Sequence, residues 1–142
     1  MYKLRRVNIE RSQEIFSKIE RYKEIIIQKL RPDLIMLFGS FARRDFNEGS
    51  DVDLLVVADF RENFLDRIKL LLELNNELKL PLEPVGYTIE EFSEMLKKEN
   101  RFILKILEEG EILYASERMM KIFSEDSKFR MFLKQHQSAL NN

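Results

Sequence analysis

The sequence predicts an α+β fold in which helices flank a small mixed β-sheet. Segments with helical periodicity alternate along the chain with short apolar runs of strand length. The segment between the first two predicted strands, residues 39–50, barely reaches the dozen or so residues that a parallel crossover requires. We therefore expect a mixed or antiparallel sheet rather than a doubly wound parallel one.

The first part of the chain is predicted to form one long helix and two strands. Apolar residues recur every three or four positions over residues 9–30, which indicates an amphipathic helix that Pro32 ends. Leu34–Phe38 is a continuous apolar run, typical of a strand buried on both faces. A polar stretch should then form a short helical turn and a loop. Val52–Val57 predicts the second strand, which is apolar except for Asp53.

Local signals define the remaining elements. Pro84 lacks a backbone donor, so its strand should lie at a sheet edge or contain a bulge. Thr88 and Glu91 have the spacing of a helix capping box, and Gly110 should stop a later helix. In order, we predict a helix over residues 62–80, a strand over 82–87, helices over 88–98 and 101–109, a strand over 111–114 and short helices from 116 onward.

The length of 142 residues fits one domain. We interpret residues 1–115 as this domain, with an N-terminal helix over 8–30 and the core over 33–115, and residues 116–142 as its helical extension. The extension is rich in Met and Phe. Its apolar residues should pack into the core, although a docking surface is the alternative.

Composition narrows the possible functions. With 24 Lys and Arg against 25 Asp and Glu, the chain lacks the positive excess expected of a protein whose main ligand is nucleic acid. The absence of cysteine excludes disulfides, cysteine zinc sites and thiol catalysis, and the single histidine, His136, is assigned no role. No membrane-spanning run or signal-peptide pattern is visible, so we expect a cytoplasmic protein. Any catalysis must use carboxylates, hydroxyls and cations.

Gly39 and Ser40 stand where a buried strand ends and a short helix begins. Glycine lets the backbone approach a ligand closely, and free N–H groups with a serine hydroxyl suit a phosphate. Arg43 and Arg44 follow on the same segment. They are candidates for phosphate contacts, with a solvated helical turn as the alternative.

Asp51 and Asp53 lie two residues apart at the start of the second strand. This spacing places both carboxylates on one face, among apolar neighbours, where like charges are costly unless a cation holds them. Mg²⁺ is suitable, because it takes carboxylate and phosphate oxygens. A Gly-Ser pair alone can be a turn, and an Asp-x-Asp alone can be a solvated strand end. Their occurrence on successive strands favours a metal–nucleotide site, but the residues by themselves leave both interpretations open.

The motif resembles a known family. Gly39-Ser40, ten further residues and Asp51-Val52-Asp53 are similar to the Gly-Ser-x10-Asp-x-Asp signature of the DNA-polymerase-beta-like nucleotidyltransferase superfamily. The resemblance covers about residues 30–115, and the short chain is similar to the minimal nucleotidyltransferase branch. It implies the polymerase-beta-like nucleotidyltransferase fold, with Gly39 and Ser40 gripping the triphosphate.

The same resemblance implies a metal site. Asp51 and Asp53 would bind two Mg²⁺ ions. A third carboxylate should come from a later strand, and Glu83 is the best-placed candidate, ahead of Asp59 and Glu111. Glu83 could also help to deprotonate the acceptor.

One position departs from the family pattern. Minimal nucleotidyltransferases often have Gly after the Ala-Arg pair, where this chain has Arg44. Arg44 is accordingly a candidate second phosphate contact beside Arg43.

Members of this branch are commonly encoded beside a HEPN-domain toxin, as its antitoxin, and some transfer AMP from ATP to a toxin tyrosine. The resemblance therefore implies a Mg²⁺-dependent transferase that moves a nucleoside monophosphate, AMP from ATP, to a hydroxyl on a HEPN-type partner protein. Two alternatives stay open: a catalytically weak antitoxin that acts by stoichiometric binding, and a stand-alone transferase for small molecules. A homo-oligomer is also compatible with the sequence.

Overall fold

The computed structural model describes residues 9–125, which form six helices and four strands. In chain order these are α1 (Ile9–Leu30), β1 (Leu34–Phe38), α2 (Gly39–Arg43), β2 (Val52–Val57), α3 (Phe64–Glu73), β3 (Leu82–Tyr87), α4 (Ile89–Lys97), α5 (Arg101–Glu109), β4 (Glu111–Ala115) and α6 (Glu117–Glu125).

The four strands form one mixed sheet in the order β3-β2-β1-β4. β1 pairs antiparallel with β2 and with β4, whereas β2 and β3 are parallel. The short β1–β2 connection permits only the antiparallel arrangement, while α3 provides the longer crossover from β2 to β3. The predicted α+β class with a mixed sheet is thus confirmed. β3 lies at an edge, which agrees with the prediction from Pro84.

Alternate residues of the central strands pack against different helices. Leu34 and Met36 belong to a core formed with α4, α5 and α6, whereas Ile35 and Leu37 belong to a core formed with α1, α2 and α3. The sheet is therefore covered on both faces. In β2, period two places Asp53 on the face that α5 covers.

The helix predicted over residues 62–80 is wrong in its second half, since α3 ends at Glu73. The Asn75 side chain exchanges two hydrogen bonds with the backbone of Leu80, at 2.8 and 3.0 Å. Lys79 adopts a left-handed φ of 54°. Asparagine offers the backbone an alternative to the helix, and here it closes the turn that leads into β3.

The C-terminal extension is described only as far as α6. Met119 and Phe123 of this helix are buried in the core, as expected for part of the extension. The part of the predicted helices beyond residue 125 lies outside the described residues, together with Phe129, Met131, Phe132 and His136, and so does residue 8 of the predicted 8–30 helix. Among residues 9–125, none of the helices is long and apolar enough to span a membrane.

Arg67 links α3 to the sheet edge and to α4. Its buried guanidinium donates to the carbonyls of Glu62 (2.8 Å) and Gly86 (3.2 Å) and pairs with Glu91 (2.6 Å).

We expect Arg67→Met to lower the free energy of unfolding by about 2–4 kcal/mol, because it leaves buried acceptors unpaired. Chemical denaturation measures this. The matched change Lys69→Met, at an exposed position of α3, should alter stability by less than about 0.5 kcal/mol.

Candidate active site

Asp53 lies between two neighbouring strands of the sheet. Its partner in β1 is Phe38, the last residue before the Gly39 turn, and its partner in β3 is Glu83. The central strand β2 therefore holds Asp53 between the β1–α2 turn and the edge strand. The structure brings the predicted Gly-Ser turn, Asp53 and Glu83 together at one end of the sheet.

Gly39 and Asp53 are in direct contact. Gly39 has a φ of +72°, a conformation that L-residues with a side chain rarely adopt. A Cβ atom at this position would overlap Oδ2 of Asp53. The glycine is therefore required both by the turn and by the carboxylate beside it.

The carboxylates at this end of the sheet repel one another. Burial, followed by the charge of Glu83, a hydrogen bond shared with Glu83 and the charge of Asp51, raises the pKa of Asp53 from its ordinary 3.8 to about 6. Arg43 opposes this shift. Asp51, which precedes β2, is exposed but close enough to act on Asp53. Ionisation of Asp53 therefore accumulates unfavourable negative charge.

This donor set fits Mg²⁺ that arrives with a triphosphate. Within residues 9–125, no three acidic, histidine or cysteine side chains are grouped tightly enough to hold a metal ion by themselves. Mg²⁺ commonly needs only one or two carboxylates, because substrate phosphates and water complete its shell. Asp53 and Glu83 supply hard oxygen ligands, and their mutual repulsion favours a cation between them.

A cavity of about 360 Å³ opens beside Asp53. One wall consists of Gly39, Ser40 and Arg43 from the β1–α2 segment. The opposite wall is a face of α5, formed by Phe102, Lys105, Ile106 and Glu109. A second cavity, of about 370 Å³, lies between α1 and the loop after α2. Asp51, Asp53 and Glu83 are all absent from its lining. The first cavity is therefore the candidate ligand site.

The wall contributed by α5 was not predicted. Phe102, which makes an edge-on contact with Phe38 at 5.5 Å between ring centroids, gives the cavity an aromatic corner. Lys105 gives it a cation. The positions 102, 105, 106 and 109 lie on one helix face, a spacing visible in the sequence. The spacing alone does not reveal that this face meets the Gly-Ser turn.

Arg43 and Arg44 contact different parts of the protein. Arg43 lines the cavity and pairs with Asp45 at 3.0 Å and Glu109 at 2.9 Å. Arg44 instead pairs with Glu111 at 3.2 Å and lies over the ring of Phe16. Arg44 is therefore outside the cavity wall.

The backbone at Arg44 explains why the family pattern often has Gly at this position. Arg44 ends α2 with a left-handed φ of 65°, a conformation that favours Gly. The two weaker metal-ligand candidates also lie elsewhere. Asp59 follows the opposite end of β2, and Glu111 is the partner of Arg44.

The raised pKa of Asp53 predicts a pH-dependent stability. The folded chain holds this proton more tightly than the unfolded chain, so the stabilisation is complete below about pH 4 and is lost as the pH rises through about 6. Because Asp53 is only partly buried, we expect a loss of about 1–2 kcal/mol. Urea unfolding of the metal-free protein between pH 4 and 7 measures it. Asp53→Asn should remove this part of the pH dependence, and an unchanged profile would contradict the assignment.

Most of the chain matches a known protein family. The family described as "Polymerase beta, Nucleotidyltransferase" matches residues 20–119. MJ0604 of Methanocaldococcus jannaschii, named for an inferred protein adenylyltransferase activity, is 37% identical over 82 residues, which cover 56% of this chain and 76% of that protein. The family resemblance inferred from the motif is thereby confirmed.

Two solved structures share the fold. A Sulfolobus solfataricus protein described as an inferred nucleotidyltransferase has 18% identity and a TM-score of 0.54, covering 78% of this chain and 89% of its own. A toxin–antitoxin complex with AMP-PNP has a chain with 19% identity and a TM-score of 0.50, covering 84% and 93%. At these identities the similarity establishes the fold alone, which agrees with the predicted polymerase-beta-like architecture.

Proposed function

The chain belongs to the polymerase beta nucleotidyltransferase family, and on that premise we propose that it transfers AMP from ATP to a hydroxyl group of a partner protein. The observation that carries the proposal is the position of Asp53. It lies against the Gly39 turn, is the sheet partner of Glu83 and borders a cavity lined by Arg43 and Lys105. The similarity to MJ0604 supports a protein as the acceptor.

In this proposal the cavity binds the nucleotide. Ser40, Arg43 and Lys105 hold the phosphates, because hydroxyl and cationic groups are the donors that phosphate oxygens prefer. The aromatic corner of Phe38 and Phe102 packs against the base. Gly39 leaves the space in which Asp53 and the triphosphate meet.

The carboxylates organise the transfer. Asp51, Asp53 and Glu83 would hold Mg²⁺ together with the substrate phosphates, and the bound ion would supply positive charge against the charge that develops on the phosphate oxygens. The acceptor oxygen attacks the α-phosphorus, the bond from the α-phosphorus to the bridging oxygen of the β-phosphate breaks, and pyrophosphate leaves. The hydroxyl proton passes to Glu83, which is exposed on the edge strand and can release it to water.

The partner follows from the family resemblance. We propose a co-encoded HEPN-domain toxin as the acceptor and the cytoplasm as the place of reaction, so that the chain acts as an antitoxin. One chain of a toxin–antitoxin complex with AMP-PNP has this fold, which supports the proposal of a toxin as the partner.

Intact-mass spectrometry of the chain with its co-encoded neighbour, ATP and Mg²⁺ tests the proposal. We expect the neighbour to gain the mass of one or more AMP groups. Asp51→Asn should prevent the gain, whereas Asp59→Asn, at an exposed position beyond the other end of β2, should leave it intact. A stable complex without a mass gain from any of the four nucleotides would refute AMP transfer and favour neutralisation by binding alone.

A further inference from the structure

We propose that Glu109 is a latch on the nucleotide site, which holds Arg43 until the triphosphate displaces it. The inference rests on the proposed function, because it assigns Arg43 to the phosphates. Glu109 in this role lowers the affinity for the nucleotide and does not contribute to binding it.

The latch is visible in the contacts of Arg43. Its Nε donates to Asp45 Oδ2 at 3.0 Å, and its Nη1 donates to Glu109 Oε1 at 2.9 Å. The three side chains together carry one negative charge. A phosphate arriving at this guanidinium therefore meets a group that is already over-neutralised, and at least one ion pair must open before Arg43 presents positive charge.

Glu109 is the carboxylate that competes with phosphate. Glu109 lines the cavity with Arg43, whereas Asp45 is not part of its wall. The Glu109 side chain is 20% exposed and that of Asp45 is 58% exposed. Charge repulsion is stronger where water is excluded, so a triphosphate is repelled more by Glu109 than by Asp45. Asp45 can keep its hydrogen bond while Glu109 gives way.

The end of α5 fixes the position of the latch. Glu109 is its last residue, and Gly110 follows with its N–H bonded to the carbonyl of Ile106. A Cβ atom at Gly110 would overlap that carbonyl oxygen and crowd Met36 of β1. The backbone at Gly110, directly after Glu109, is thereby packed closely against β1. We therefore expect the latch to open by rotation of the Glu109 side chain.

The test measures the dissociation constant of Mg²⁺–AMP-PNP by calorimetry. Glu109→Gln should bind about tenfold more tightly than the wild type, since one charge-assisted competitor is removed. Glu108→Gln is the matched control, because it makes the same change of net charge at an exposed neighbour outside the cavity wall. Its constant should stay within about twofold of the wild type. Adenosine, which lacks phosphates, should bind to the wild type and to both variants with the same dissociation constant.

A double-mutant cycle separates a latch from simple repulsion. If Glu109 acts chiefly through Arg43, the gain from Glu109→Gln should fall to about twofold or less in an Arg43→Gln background, where only direct repulsion of the triphosphate is removed. A tenfold gain that persists there, or weaker binding by Glu109→Gln alone, would overturn the latch. If the wild type binds AMP-PNP and Glu109→Gln does not change the affinity, only this inference fails. If neither protein binds AMP-PNP, the proposed function fails with it.

Discussion

Asp53→Asn is expected to lower nucleotidyl transfer by at least about 1000-fold while it stabilises the metal-free protein at neutral pH. The loss follows because Asp53 is the partly buried carboxylate between the Gly39 turn and Glu83, where the proposed function places the phosphates and the cation. The gain follows because the wild-type group is held with a pKa of about 6 and is ionised at a cost at pH 7. A lower transfer rate together with a higher stability distinguishes a functional carboxylate from a structural one.

Transfer rates and thermal unfolding of the same samples measure both effects. Asp59→Asn provides the control, since it removes an exposed carboxylate beyond the opposite end of β2. Neutralisation of the proposed toxin partner by the Asp51→Asn, Asp53→Asn double variant separates the two proposed modes of action. Lost neutralisation with retained binding indicates an enzyme, and unchanged neutralisation indicates a protein that acts by covering its partner.

Gly39→Ala should disrupt both the fold and the site. A side chain at a φ of +72° strains the backbone, and the added Cβ would overlap the Asp53 carboxylate. We expect the free energy of unfolding to fall by about 2–4 kcal/mol and nucleotide binding to be lost. Gly49→Ala is the matched control, because its Cβ would meet Oδ1 of Asn47 at an ordinary 3.5 Å.

Denaturation and nucleotide titration of the two alanine variants give a direct comparison. The Gly49 variant should behave as the wild type in both. Similar stability and affinity in the Gly39 variant would mean that the turn tolerates a side chain and that its contact with Asp53 is unimportant.

The strands and the motif could be predicted because their signals are local. Apolar runs of strand length identified β1 and β2, and a connection of limited length identified their antiparallel pairing. The predicted helix beyond Glu73 was wrong because the Asn75 side chain binds the backbone of Leu80, a local contact that apolar periodicity does not report.

The placement of Glu83 depends on register, which the sequence does not determine. Glu83 pairs directly with Asp53, and a shift of one residue would turn its side chain to the other face of the sheet. The wall formed by α5 depends on packing between segments 66 residues apart, since Arg43 contacts Glu109. Such contacts need the three-dimensional structure, and for that reason the cavity's aromatic corner and the latch were missed.

Reaction of the complex with ATP labelled at either the α- or the γ-phosphorus tests the central claim most directly. The account predicts that the α-label becomes covalently attached to the partner protein, that the γ-label leaves in pyrophosphate, and that Asp53→Asn removes the labelling. Attachment of the γ-label would mean phosphate transfer, and labelling of neither kind in an intact complex would contradict the assignment of this site to nucleotidyl transfer.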